Sequence, residues 1–90
     1  MSVSKEDYTE YDWFGEARVR ETAGNLEGAL EAFEESLKLN PKFAKAWYYK
    51  AELHYHMKQI KEAQECARKA IELKPSWKKH FEKNMPELKF

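Results

Sequence analysis

The chain repeats itself, and that constrains its fold more than any other feature. Slid along itself by 34 residues, Trp13 falls on Trp47, Ala17 on Ala51, Leu26 on Ile60 and Ala29 on Ala63. Leu37 then falls on Ile71, Leu39 on Leu73 and Pro41 on Pro75. Every matched position is apolar or proline, the residue classes that set packing and chain breaks. A fixed period of roughly 20–50 residues marks a solenoid: one supersecondary unit cannot cover its own apolar face, so it stacks on the next.

Each unit reads as two helices. The segment from Thr9 to Ala23 forms the first, and Gly24-Asn25 then offers a left-handed stop followed by an N-cap. Leu26, Ala29, Leu30, Phe33 and Leu37 recur at helical steps and form one apolar stripe on a second helix. Asn40-Pro41 ends it, because proline biases the preceding residue away from helical geometry. The second unit follows suit: Phe43 to Met57, a turn at Lys58-Gln59, then Ile60 to Leu73, closed by Lys74-Pro75. Ser76 is placed to cap a short helix running to Asn84, and Pro86 breaks it. The expected fold is therefore all-α, with antiparallel helix-turn-helix repeats and five helices. A leader covers residues 1–9, the first repeat 10–43, the second 44–77, and a capping helix with its tail 78–90.

Composition agrees with short loops and long charged helix faces: 36% of residues are charged, with three glycines and three prolines. Ninety residues make one small domain, which buries roughly 60–65% of its unfolded surface and holds about 4–13 kcal/mol of stability. Cys66 is the single cysteine, so an intrachain disulfide and a Cys-rich zinc site are both excluded and a reducing compartment is implied. No stretch nears the ~18–20 apolar residues of a membrane span, and Met1 to Glu10 lacks the apolar run of a signal peptide. The expectation is a cytoplasmic protein without membrane contact, and Met1 with no tag reads as a complete product. Net charge is zero but divided: residues 1–35 hold ten acids against Lys5, Arg18 and Arg20, a balance of −7, which leaves +7 for the rest.

Little in the chain points to chemistry. His54 and His56 face different ways on a helix, and neither they nor His80 meet a cysteine or carboxylate cluster that would complete a metal shell. Cys66 has no histidine base beside it. There is no Gly-x-Ser-x-Gly elbow and no glycine-rich phosphate loop. The reading is a non-enzyme with no cofactor and no metal. Nucleic-acid binding is the rival class: Lys69, Lys74, Lys78, Lys79 and Lys83 interleave with Trp77, His80 and Phe81, a pattern suited to phosphate contact and base stacking. The acidic first unit and the neutral whole disfavour it.

These residues resemble the tetratricopeptide repeat family over residues 10–77, with 78–84 similar to the start of a third first helix. The resemblance is carried by Trp13 and Trp47, by Ala17 and Ala51 where paired helices approach, and by Ala29, Ala63, Ala70, Phe33, Pro41 and Pro75. It implies a short right-handed α-solenoid. Against the family pattern, Glu16 and Lys50 stand for leucine, Arg20 and His54 for tyrosine, Ala67 for a bulky aromatic, and Lys58 for the turn glycine.

In this family the first helices line a concave groove that receives an extended peptide or a partner helix. Carried over, the lining is Tyr11, Phe14, Arg18 and Thr22 from the first unit; Lys45, Tyr48, Tyr49, Glu52, Tyr55 and His56 from the second; and Lys79 and Lys83 from the cap. The function so implied is a protein–protein interaction module, a scaffold or adaptor. The alternative is that the tyrosines merely cover the helix pairs with their hydroxyls in water. Some members clamp the C-terminal carboxylate of a chaperone. Phe14, Arg18, Tyr49, Lys79 and Lys83 occupy the matching positions, but both asparagines are lost, so an acidic peptide near Lys79 and Lys83 is the broader expectation. Self-association remains open too. Trp77, Phe81, Met85, Leu88 and Phe90 either seal the second unit or meet another chain, and the opposed charges of the two ends favour weak dimerisation at low salt.

Overall fold

The computed structural model describes residues 4–90, so the first three residues of the expected 1–9 leader lie outside the described residues. Among the described residues every element is helical: five α-helices and two short 3-10 turns, with no strand. No helix among them is long and apolar enough to cross a membrane. The chain divides into two compact units, one ending at Phe43 and the other beginning at Ala44.

In the first unit a 3-10 turn at Lys5–Asp7 leads into α1 (Glu10–Thr22), which pairs with α2 (Leu26–Leu39). Thr9 and Asp12 form a reciprocal capping box. The Asp12 N–H donates to the Thr9 hydroxyl at 3.2 Å, and the Thr9 N–H donates to the Asp12 carboxylate at 2.9 Å. Four amides at a helix start lack intrahelical acceptors, and a box of this kind satisfies two of them. α1 stops where Gly24 turns left-handed at φ 86°. The Asn25 N–H then donates to the Arg20 carbonyl and the Gly24 N–H to the Glu21 carbonyl, the paired bonds of a Schellman stop. Asn25 at once caps α2, its side-chain oxygen accepting from the Gly28 N–H at 3.1 Å.

α1 and α2 meet along small residues, with Ala17, Ala29, Ala32 and Phe33 fully buried. Alanines let two backbones come close while one large ring fills the wedge beside them. The buried Ser36 hydroxyl donates across the seam to the Glu10 carbonyl at 2.7 Å.

The second unit repeats this helix pair and adds a short helix of its own. α3 (Ala44–His56) pairs with α4 (Ile60–Leu73), a 3-10 turn follows at Pro75–Trp77, and α5 spans Lys78–Asn84. Trp13 and Trp47 are both the fourth residue of their helices, and Ala17 and Ala51 both the eighth. The stop between α3 and α4 is the same Schellman pair. Gln59 donates to the His54 carbonyl and Lys58 to the Tyr55 carbonyl, with Lys58 held at φ 63°.

Here the core is a floor of alanines (Ala51, Ala63, Ala67, Ala70) and Cys66, covered by Phe81, Met85 and Leu88. The tail is pinned by Gln64, whose amide donates to the Lys89 carbonyl at 2.6 Å and accepts from its N–H at 2.8 Å. Of the two readings of the apolar C-terminal set, sealing of the second unit is the one the structure shows for Phe81, Met85 and Leu88, all buried. Phe90 keeps 42% of its surface exposed and leans on Phe81.

Two local expectations need correction. Ser76 does not cap α5: it lies inside the 3-10 turn, where Pro75 supplies a preset φ, and Trp77 precedes the helix with no side-chain cap bond. Phe43 does not start α3; it stands one residue ahead of the helix, its N–H donating to the Asn40 carbonyl at 3.1 Å.

Candidate functional site

The first-helix aromatics gather in each unit around a ring that comes from later in the chain. In the first unit, Tyr11 and Phe14 sit three apart on α1 and so project from one side. Both meet Phe43, at ring-centroid distances of 5.2 and 5.3 Å, and Phe14 also packs edge-on against buried Phe33 at 5.9 Å. Tyr11 remains 67% exposed. Arg18 lies nearer the other end of α1, paired with Glu21 at 3.1 Å; Thr22 donates its hydroxyl to the Arg18 carbonyl at 2.9 Å. Arg18 and Thr22 border a shallow depression with Val19 and Ala23, so the structure sets them apart from the Tyr11–Phe14–Phe43 group.

In the second unit Tyr48 is the hub. Its ring meets Tyr49 edge-on at 5.3 Å, Trp77 edge-on at 5.3 Å, and Phe81 tilted at 4.8 Å. Its hydroxyl faces the Asn84 side-chain amide at 3.5 Å. Such offset and edge contacts are the favoured geometry for aromatic pairs. Beside this hub opens a pocket of about 230 Å³ walled by Lys45, Tyr48, Tyr49, Trp77 and His80.

The other expected lining residues fall elsewhere. Tyr55 packs partly buried against the second unit's core and touches His56 ring to ring at 6.3 Å, at the far end of α3. Glu52 is half-buried on the same helix, and Lys79 and Lys83 stand exposed on α5.

Three contributors were missing from the expected set: Phe43, Trp77 and His80. The period that defines the repeat carried the signal for two of them, since Trp77 lies 34 residues after Phe43, and Lys45 and Tyr48 lie 34 after Tyr11 and Phe14. Trp77, which the sequence offers as a base-stacking residue or as part of the apolar C-terminal set, is a wall of the pocket.

Cys66 is buried, and among the described residues no three or more His, Cys, Asp or Glu side chains gather where they could hold a metal.

The family model of the tetratricopeptide repeat matches residues 22–79, which is more than half of the chain. The chain belongs to the tetratricopeptide repeat family. None of the curated proteins compared with it matches. Tetratricopeptide repeats are non-catalytic scaffolds that mediate protein–protein interaction.

Family membership gives meaning to the departures. Arg20, in place of tyrosine, donates to the Gly28 carbonyl on α2 at 2.9 Å and to Glu16 at 3.3 Å, so two polar departures satisfy one another. His54, at the same position of the second unit and largely buried, pairs its Nδ1 with Gln59 Oε1 at 2.7 Å. Lys50, the counterpart of Glu16, lies over the Trp47 ring at 5.5 Å. Each repeat thus replaces a tyrosine by a polar group that ties the first helix to the turn or the second helix. Ala67 stands where the family's bulky aromatic would be, in the floor that Phe81, Met85 and Leu88 cover.

Proposed function

We propose that this tetratricopeptide protein is an adaptor that receives a peptide or partner helix on the aromatic faces of α1 and α3. The observation that carries the reading is the open pocket beside Tyr48 in the second unit. Aromatic rings already locked by their neighbours offer contact area at little entropy cost, because few rotamers remain to be frozen on binding. The residues expected on these faces are Tyr11, Phe14, Arg18, Lys45, Tyr48, Tyr49, Glu52, Tyr55 and His56, with Lys79 and Lys83 beyond them.

Charge orients the guest. Residues 44–90 hold eleven bases against six acids, a balance of +5, and residues 1–43 hold ten acids against five bases, a balance of −5. Acidic stretches of a partner would be drawn to the +5 unit and basic stretches to the −5 unit, an effect that acts mainly on encounter rate. Cys66, buried and the single cysteine of the sequence, fits a cytoplasmic setting.

A peptide array probed with the wild-type chain and with Tyr49→Ala tests the proposal. Bound peptides that weaken with the substitution support it. An array with no bound sequence, or one indifferent to substitutions on α1 and α3, removes it. The same charge division supports a second reading, weak head-to-tail pairing of copies, whose test is the molecular mass in solution at low ionic strength.

A further inference from the structure

The two units carry the same three-position aromatic arrangement but finish it differently. In the first, Tyr11, Phe14 and Phe43 close on one another at 5.2 and 5.3 Å. The residues 34 positions on are Lys45, Tyr48 and Trp77. Tyr48 and Trp77 keep their edge contact at 5.3 Å, but lysine in the tyrosine's place brings no ring. Lys45, at the position that Tyr11 holds one period earlier, walls a pocket of about 230 Å³ together with Tyr48, Tyr49, Trp77 and His80. We infer that this pocket is the anchor site for a single aromatic side chain carried by an acidic segment of a partner protein. The inference rests on the interaction reading above and names the chemistry of the guest.

Size selects the occupant. Sites for drug-sized ligands and cofactors run to roughly 300–1,000 Å³, so a smaller pocket suits one side chain. Its walls select a ring: Tyr48, Tyr49 and Trp77 present edges and faces at fixed angles, and Tyr48 is held from behind by Phe81 at 4.8 Å. An aromatic guest completes in trans the closed group that the first unit builds in cis.

Charge selects the flanks. A caged cation such as methylated lysine is disfavoured on two counts. Lys45 stands at the wall, and the Trp77 ring is already under the Lys74 ammonium at 5.4 Å. Around the pocket, α5 exposes Lys78, Lys79 and Lys83 against the one acid Glu82. Acidic residues on either side of the anchor would therefore gain attraction from a unit that carries +5.

The test is fluorescence anisotropy with a labelled peptide bearing one central phenylalanine between glutamates. Its controls carry alanine at the centre or glutamines at the flanks. The inference expects the alanine control to bind on the order of thirtyfold more weakly, as for an anchor in a desolvated pocket. It expects the glutamine control to bind more weakly and to lose its dependence on salt. Lys45→Tyr, which recreates the first unit's closed group, should abolish the difference between phenylalanine and alanine centres while the helical circular dichroism is kept. Lys45→Ala, which leaves the pocket open and removes one of the unit's eleven bases, should keep the phenylalanine preference and weaken the salt dependence only in part. Equal binding of the phenylalanine and alanine peptides overturns the inference. If the array finds other sequences that bind through α1 and α3, the interaction reading survives that result; if it finds none, both fall.

Discussion

Replacing Phe81 with alanine should cost the protein about 4 kcal/mol. Phe81 has no exposed surface and is the largest fully buried side chain of the second unit's core. Beneath it lie Ala51, Ala63, Ala67 and Ala70, whose methyl groups are fixed to the backbone and cannot swing in to fill a hole. A Phe-to-Ala change in a core typically costs about 3–5 kcal/mol, and the cost rises when the site cannot collapse. Against a total of roughly 4–13 kcal/mol for a chain of this size, that is a third or more of the stability.

Phe90→Ala is the internal control, because Phe90 is 42% exposed and should cost about 1 kcal/mol. Urea unfolding followed by circular dichroism reads the difference. With a slope of about 1–3 kcal/mol per molar, the Phe81→Ala midpoint should fall by roughly 2 M while that of Phe90→Ala moves far less. If the two variants unfold together, within about 1 kcal/mol of wild type, α5 does not complete the second unit's core and the reasoning fails.

Other perturbations test separate parts of the structure. Lys58→Gly should stabilise by about 0.5–1 kcal/mol and raise Tm by about 4 °C in calorimetry, since Lys58 is held at φ 63°; Gly24→Ala, at φ 86°, should lower it by a similar amount. Ser36→Ala should cost about 1 kcal/mol in chemical denaturation by removing the 2.7 Å bond to the Glu10 carbonyl. In sedimentation at low ionic strength and high micromolar protein, the charge division predicts a rise in mass that added salt reverses; a strict monomer throughout would contradict it.

Secondary structure was legible because its signals are local. Gly24-Asn25 spells a stop and a cap in adjacent letters, and the stripe from Leu26 to Leu37 can only be one face of a helix. Lys58 could be placed in a left-handed turn by alignment with Gly24, one period earlier. The start of α5 departs from the expected Ser76 cap because serine is a good cap in isolation, while the 3-10 turn preceding α5 depends on Pro75 and on the bond from the Trp77 N–H to the Lys74 carbonyl.

The pocket was less legible for a different reason. Repeat arithmetic assigns residues to a face, but a pocket exists only where a ring is missing. The sequence assigns Lys45 to the expected groove lining, but that it stands where the first unit has a ring shows only when Tyr11 is seen at the equivalent position with Phe43 against it. Conversely, Arg18 and Tyr55 share the expected face by helical spacing yet are committed to other neighbours, Glu21 and the second unit's core.

Each tryptophan in the chain sits beneath a lysine ammonium: Lys5 at 5.9 Å from the Trp13 ring, Lys50 at 5.5 Å from Trp47, and Lys74 at 5.4 Å from Trp77. Indole emission responds to a charge held over the ring, so the molecule contains three native optical probes at separate addresses. Trp13 reports on the segment at Lys5 and Tyr8, Trp47 on the packing of α3 against the second unit's core, and Trp77 on whatever enters beside Tyr48. Versions retaining one tryptophan apiece would let occupancy, end fraying and unfolding be followed as distinct colours without attaching a dye.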